Sequence, residues 1–144
     1  MAEKPAFRGA FRKRRALVPA DGFYEWRKRE GSKLKQPLLI RRRDGQPFAF
    51  AGLWEHWRGP EGEVQTCTIV TTAANAVLAP IHDRMPVILD PACYDRWLDP
   101  GQAKAEEELL RPCPEDWLEA FPVSTRVNNV RNDAAGLIAP MNPA

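Results

Sequence analysis

Proton transfer is the chemistry this sequence is best equipped for, and two of its segments hold the groups. One of its two histidines lies in Pro80-Ile81-His82-Asp83-Arg84-Met85-Pro86. Proline near each end restrains a stretch that carries an imidazole, a carboxylate and a guanidinium, and restrained loops often bear function. The plainer reading is a surface loop in which Asp83 and Arg84 cap neighbouring backbone. The second segment is Val18-Pro19-Ala20-Asp21-Gly22-Phe23-Tyr24-Glu25-Trp26. A glutamate wedged between rings has its charged form disfavoured, which suits it to proton transfer. Its plainer reading is a strand residue that faces solvent while Tyr24 and Trp26 face inward, and the alternation permits either.

Thiol chemistry is less well supported. Cys67, Cys93 and Cys113 are odd in number, widely spaced and form no Cys-x-x-Cys pair, so neither a disulfide framework nor a zinc site is expected, and no metal or cofactor is implied. Cys67, in Thr66-Cys67-Thr68-Ile69-Val70, reads as a small buried hydrophobe of a core strand. A cysteine protease pairing Cys67 with His82 would need that thiol exposed and within reach of the ring.

Charge points to a polyanion. Residues 1–43 carry 14 Lys/Arg against 4 Asp/Glu, whereas the remainder carries 7 against 15, so a net charge of +2 conceals a basic first third. Arg12-Lys13-Arg14-Arg15 and Arg41-Arg42-Arg43 could neutralise phosphates, or be solvated faces. The run from Val123 to Asn132 mixes Arg126 and Arg131 with Asn128 and Asn129, which suits phosphate and sugar contacts, or a turn satisfied by amide side chains.

These groups need a scaffold, and 144 residues with 44% hydrophobic content can bury one core. Fourteen prolines and nine glycines cut the chain into short elements. Strands are predicted at Leu17-Val18, from Phe23 to Arg27, Pro37 to Arg43, Pro47 to Trp57, Val64 to Thr72 and Pro86 to Leu89. Asp21-Gly22 and Asp44-Gly45 supply the turns. Helices are predicted from Ala74 to Ala79, Pro91 to Leu98 and Gln102 to Leu110. The class is α+β, with a curved, barrel-like, mostly antiparallel sheet and short flanking helices in a single domain over residues 1–144. No apolar run approaches the ~20 residues of a membrane span, and a cytoplasmic protein, nucleoid-associated when bound to DNA, is expected.

The segments from Leu17 to Trp26, Lys35-Gln36-Pro37, Phe50-Ala51-Gly52-Leu53-Trp54, Ile69 to Asn75, His82-Asp83-Arg84-Met85-Pro86 and Val127-Asn128-Asn129-Val130, in this order, resemble the SRAP family of SOS response-associated peptidases. The resemblance implies capture of abasic sites in single-stranded DNA. A cysteine exposed behind the initiator methionine condenses through its amine with the sugar aldehyde and closes to a thiazolidine. Glu25 is implied to position and deprotonate that amine. His82 is implied to protonate the sugar oxygen and assist reversal, and both to serve autocatalytic removal of the methionine. Arg14, Arg15, Trp26, Arg84, Arg126 and Asn128 are the residues expected to meet DNA.

The family pattern begins Met-Cys-Gly-Arg, whereas position 2 here is Ala2. The chain is therefore expected to match a C-terminal portion of the domain, to be unable to crosslink as written, and to self-associate through an exposed sheet edge. A non-catalytic single-stranded-DNA binding module is the alternative.

Overall fold

A computed structural model describes residues 5–102 and 105–141. The chain divides into two compact units interleaved in sequence: residues 1–20, 48–73 and 85–113 form the first, and residues 21–47, 74–84 and 114–144 the second.

The first unit is organised by one long strand. Helix α1 (Pro5–Lys13) runs into β1 (Arg15–Ala20), which pairs antiparallel with the first half of β4 (Phe48–Gly59). The second half of β4 pairs with β5 (Gly62–Ile69), while the short β8 (Ile88–Leu89) pairs with Ala49 and Phe50. Phe11, Leu53, Val70, Val87, Leu89 and Trp97 form the core, with the Phe11 and Trp97 rings edge to face at 6.0 Å. Pro5 starts α1, where a missing N–H costs nothing, and Phe7, Ala10 and Phe11 recur at the spacing that keeps one helical face inward. A further helix, α2 (Tyr94–Leu98), carries Trp97 into this core.

The second unit is a three-stranded antiparallel sheet in the order β2 (Phe23–Lys28), β3 (Lys35–Arg42), β9 (Leu118–Pro122). Central β3 buries Leu38, Leu39 and Ile40, as an inner strand covered on both faces should. Gly22 leads into β2 where a side chain cannot fit, because a Cβ there would lie 2.9 Å from the Ile40 carbonyl oxygen. The Asp44 carboxylate closes the turn after β3, accepting from the Arg42 guanidinium at 2.9 Å and from the Gln46 N–H at 3.0 Å. The Arg42 bond above all, then that N–H, lower its pKa to about 2. A carboxyl lowered on folding stabilises above its unfolded pKa and loses that contribution as pH falls. Thermal melts from pH 4 to pH 2 should therefore fall less steeply in Asp44→Asn than in the parent chain. Parallel curves would remove Asp44 from the acid response.

Two short strands, β6 (Thr71–Ala73) and β7 (Arg84–Pro86), make a separate pair. The sheets are open, not closed into the expected barrel: among the described residues β1, β2, β5 and β9 each pair on one side only. The helix predicted from Ala74 to Ala79 is absent as such, and of that predicted from Gln102 to Leu110, residues 103 and 104 lie outside the described residues. Hydrogen-bonded turns occupy the first, and a 3-10 segment, Ala105–Leu109, lies in the second. No helix among the described residues is long and apolar enough to cross a membrane.

Candidate functional site

The segment around His82 is held by Leu78, which is fully buried. The Leu78 carbonyl accepts from the N–H groups of Ile81 at 2.8 Å and His82 at 2.9 Å, and the Asn75 side chain accepts from the Leu78 N–H. The Ala74 N–H donates to the Asp83 carbonyl and closes the loop. A single anchor, three backbone bonds and one side-chain bond thus fix an imidazole that is itself exposed.

Both charge states of that imidazole have partners. Nδ1 accepts from the Arg84 N–H at 3.0 Å, which puts the proton of the neutral ring on Nε2. The same nitrogen lies 3.1 Å from Asp83 Oδ1 and 3.1 Å from the Arg84 carbonyl, either of which receives the Nδ1–H of the charged ring. Protonation of Nδ1 exchanges its partner, from the Arg84 N–H it accepts from to an oxygen it donates to, both already within reach.

His82 opens onto a hollow of about 440 Å³ that Trp26, Lys28, Lys35 and Asp83 also line. The Trp26 indole is fixed by its N–H donating to Asn128 Oδ1 at 2.7 Å, yet stays about a third exposed. Asn128 ends a 3-10 turn, Thr125–Asn128, which the Ser124 hydroxyl caps by accepting from the Arg126 N–H. The Asn132 amide donates to the Arg126 carbonyl at 2.7 Å. The amides of the Val123 to Asn132 run therefore divide their work: Asn132 holds the turn and Asn128 orients the tryptophan.

Of the predicted residues, His82, Trp26 and Asn128 come together. Glu25 is half-buried one position before Trp26, so strand alternation turns it to the opposite face, toward that of Leu38, its register partner. It is not among the residues lining the hollow. Arg126 is exposed, and Arg84 is exposed with its N–H engaged by His82.

Two arginines of the basic cluster are committed elsewhere, in the first unit. Arg14 pairs with Glu55 at 2.6 Å, and the His56 N–H, followed by Arg14, holds the Glu55 carboxyl below its ordinary pKa. Arg15 is buried, with its guanidinium donating to the carbonyls of Phe11, Trp97 and Asp99. The donors of Arg15, expected on DNA, thus serve backbone carbonyls of the first unit. Cys67 is exposed rather than buried, because β5 is an edge strand exposed along its whole length. It lines a different hollow, with Phe7, Leu53, Trp54 and Glu55, that holds no imidazole. No group of three potential metal ligands occurs among the described residues.

Sequence reasoning passed over Lys28 and Lys35. The signal was present in their spacing around the Gly31 turn, which makes them direct cross-strand partners on β2 and β3.

A family model for the SOS response associated peptidase (SRAP) matches residues 1–130. The abasic site processing protein YoqW of Bacillus subtilis is 44% identical over 141 residues, covering 96% of this chain and 62% of that protein. The abasic site processing protein HMCES of Rattus norvegicus is 33% identical over 165 residues, covering 96% of this chain and 47% of its own length. A crystal structure of a protein from Bacteroides thetaiotaomicron superposes with a TM-score of 0.88 at 31% identity, covering 98% of this chain and 62% of that one. The chain thus spans roughly half to three-fifths of the length of these relatives.

Proposed function

This chain belongs to the SRAP family, and from that premise we propose that it binds single-stranded DNA at abasic sites in the response to DNA damage. One observation carries the reading: an imidazole provided for in both charge states shares a hollow with a partly exposed indole fixed by an amide. An abasic nucleotide has no base to stack, so its sugar can reach the imidazole while a neighbouring base lies on the indole. Arg84 and Arg126 supply positive charge to the strand, and His82 moves the proton of the sugar oxygen as the ring opens. Glu25, to which the family resemblance gives the attacking amine, faces away from this hollow on β2, and no role in it is assigned to that carboxylate.

Covalent capture needs an α-amine and a thiol on one residue, and position 2 is alanine. The surface formed by His82, Trp26 and the basic side chains needs no such residue, and to it we assign non-covalent binding of the strand. Covalent capture, and the autoproteolysis that exposes the thiol, are assigned to a chain that carries the family's Met-Cys start. Denaturing gels after incubation with abasic single-stranded DNA should show an adduct only with such an extended chain. An adduct with the alanine-2 chain would replace the cysteine by another nucleophile.

The binding itself is tested by anisotropy with labelled single strands. Trp26→Ala should weaken binding by about 1–3 kcal/mol, roughly 5- to 150-fold, while leaving the melting temperature nearly unchanged because the ring is partly exposed. Equal affinities for parent and variant would remove the indole from the interface.

A further inference from the structure

We propose that Lys28 and Lys35 form a two-ammonium clamp for the DNA backbone beside His82, an inference that rests on the single-stranded-DNA reading above. The two residues are direct cross-strand partners in the β2–β3 register, and both line the hollow that holds His82 and Trp26. Like charges directly opposite one another in an antiparallel pair are destabilising, because their Cβ atoms are only about 4.5–5.5 Å apart. Among the described residues neither ammonium has an ion-pair partner, and the Asp83 carboxylate in the same hollow lies against the His82 ring. A fold that keeps two uncompensated cations side by side next to a candidate site presents a ready subsite for an anion.

The chemistry of that anion follows from what lies around it. Lys28 is two residues from Trp26 on the same face of β2, about 6.6 Å along the strand. A base stacked on the indole would therefore carry its phosphodiester toward the lysines, and the next sugar toward His82. Ammonium groups on flexible stems hold a phosphate as point charges and read no base, as a lesion binder working in any sequence context requires. A basic hairpin surrounds them, with Arg27, Arg29 and Lys33 against Glu30. The clamp thus sets the register of the strand, placing one particular sugar over the imidazole.

The test is a salt titration of single-stranded-DNA affinity for the parent chain, Lys28→Gln/Lys35→Gln and Lys28→Arg/Lys35→Arg. Each phosphate released should reduce the slope of log affinity against log salt by about 0.7, so the double glutamine variant should lose about 0.7 to 1.4 of slope. The double arginine variant should keep the parental slope. Melting of the glutamine variant should hold or rise, since a repulsive pair has been removed, so weaker binding could not be ascribed to unfolding. A parent chain that binds while the glutamine variant keeps its slope would overturn the clamp alone. A parent chain that does not bind single-stranded DNA would overturn the underlying reading and the clamp with it.

Discussion

Replacing Arg15 with methionine is expected to cost the fold about 3–5 kcal/mol. The side chain enters the interior of the first unit and donates to three backbone carbonyls. Phe11 lies in the last turn of α1, and Trp97 and Asp99 lie at the end of α2, so one guanidinium serves the termini of two helices. Carbonyls at a helix end have no partner in their own helix, and a cation there also meets the negative pole. The Phe11 and Trp97 rings approach the same guanidinium at 5.9 and 5.5 Å. Methionine keeps most of the stem but leaves three acceptors without a donor, the Phe11 and Trp97 carbonyls buried and that of Asp99 partly so, at about 1–3 kcal/mol for each buried one before relaxation. Urea unfolding should show a lower midpoint at an unchanged slope. Arg14→Ala, which removes an exposed pair with Glu55, should lose less than about 1 kcal/mol. Equal losses for the two variants would mean that burial of Arg15 contributes nothing beyond a surface contact.

The second large effect concerns chemistry. In a chain carrying the family's Met-Cys start, His82→Ala should slow adduct formation with abasic single-stranded DNA by about 10²- to 10⁴-fold, the usual contribution of a positioned acid–base group. DNA affinity, measured separately on an intact strand, should change little, since Trp26 and the basic side chains are untouched. Asp83→Asn should act in the same direction but less, because it takes away the carboxylate that receives Nδ1–H while the Arg84 carbonyl stays in place. A gel time course gives the rates. An undiminished rate in His82→Ala would assign the proton transfer to Glu25 or to solvent.

What the sequence disclosed follows a physical line. Strands were legible where period-two alternation met a turn signal, as at Asp21-Gly22 before β2 and Asp44-Gly45 after β3. α1 went unread because it is only nine residues long and carries Gly9 at its centre, and only the positions of Phe7, Ala10 and Phe11 betray a buried face. β9 escaped because Leu118–Pro122 is five residues long and ends in proline. Cys67 was misjudged because β5 has the composition of a core strand, whereas exposure depends on its having one neighbour instead of two. Arg15 could not be told from Arg14, since only tertiary structure sends one guanidinium inward and leaves its neighbour at the surface. His82, Trp26 and Asn128 were each found locally. Their meeting in one unit depends on loop, strand and turn segments more than 40 residues apart, which no local pattern encodes.

The interleaving of the two units carries a consequence for synthesis. Each is assembled from three separate stretches, the first complete only when residue 113 is made and the second only at the end of the chain. The first cannot finish until two of the second's stretches, residues 21–47 and 74–84, have also been made, so the usual route by which one domain folds on the ribosome before the next is begun is closed. Loop closure across such long separations is entropically slow, and nascent β1 and β3 must wait with an open edge for β4 and β9. The vulnerable period for this protein is therefore its own birth, when a chaperone that shields strand edges would matter more than any property of the finished molecule.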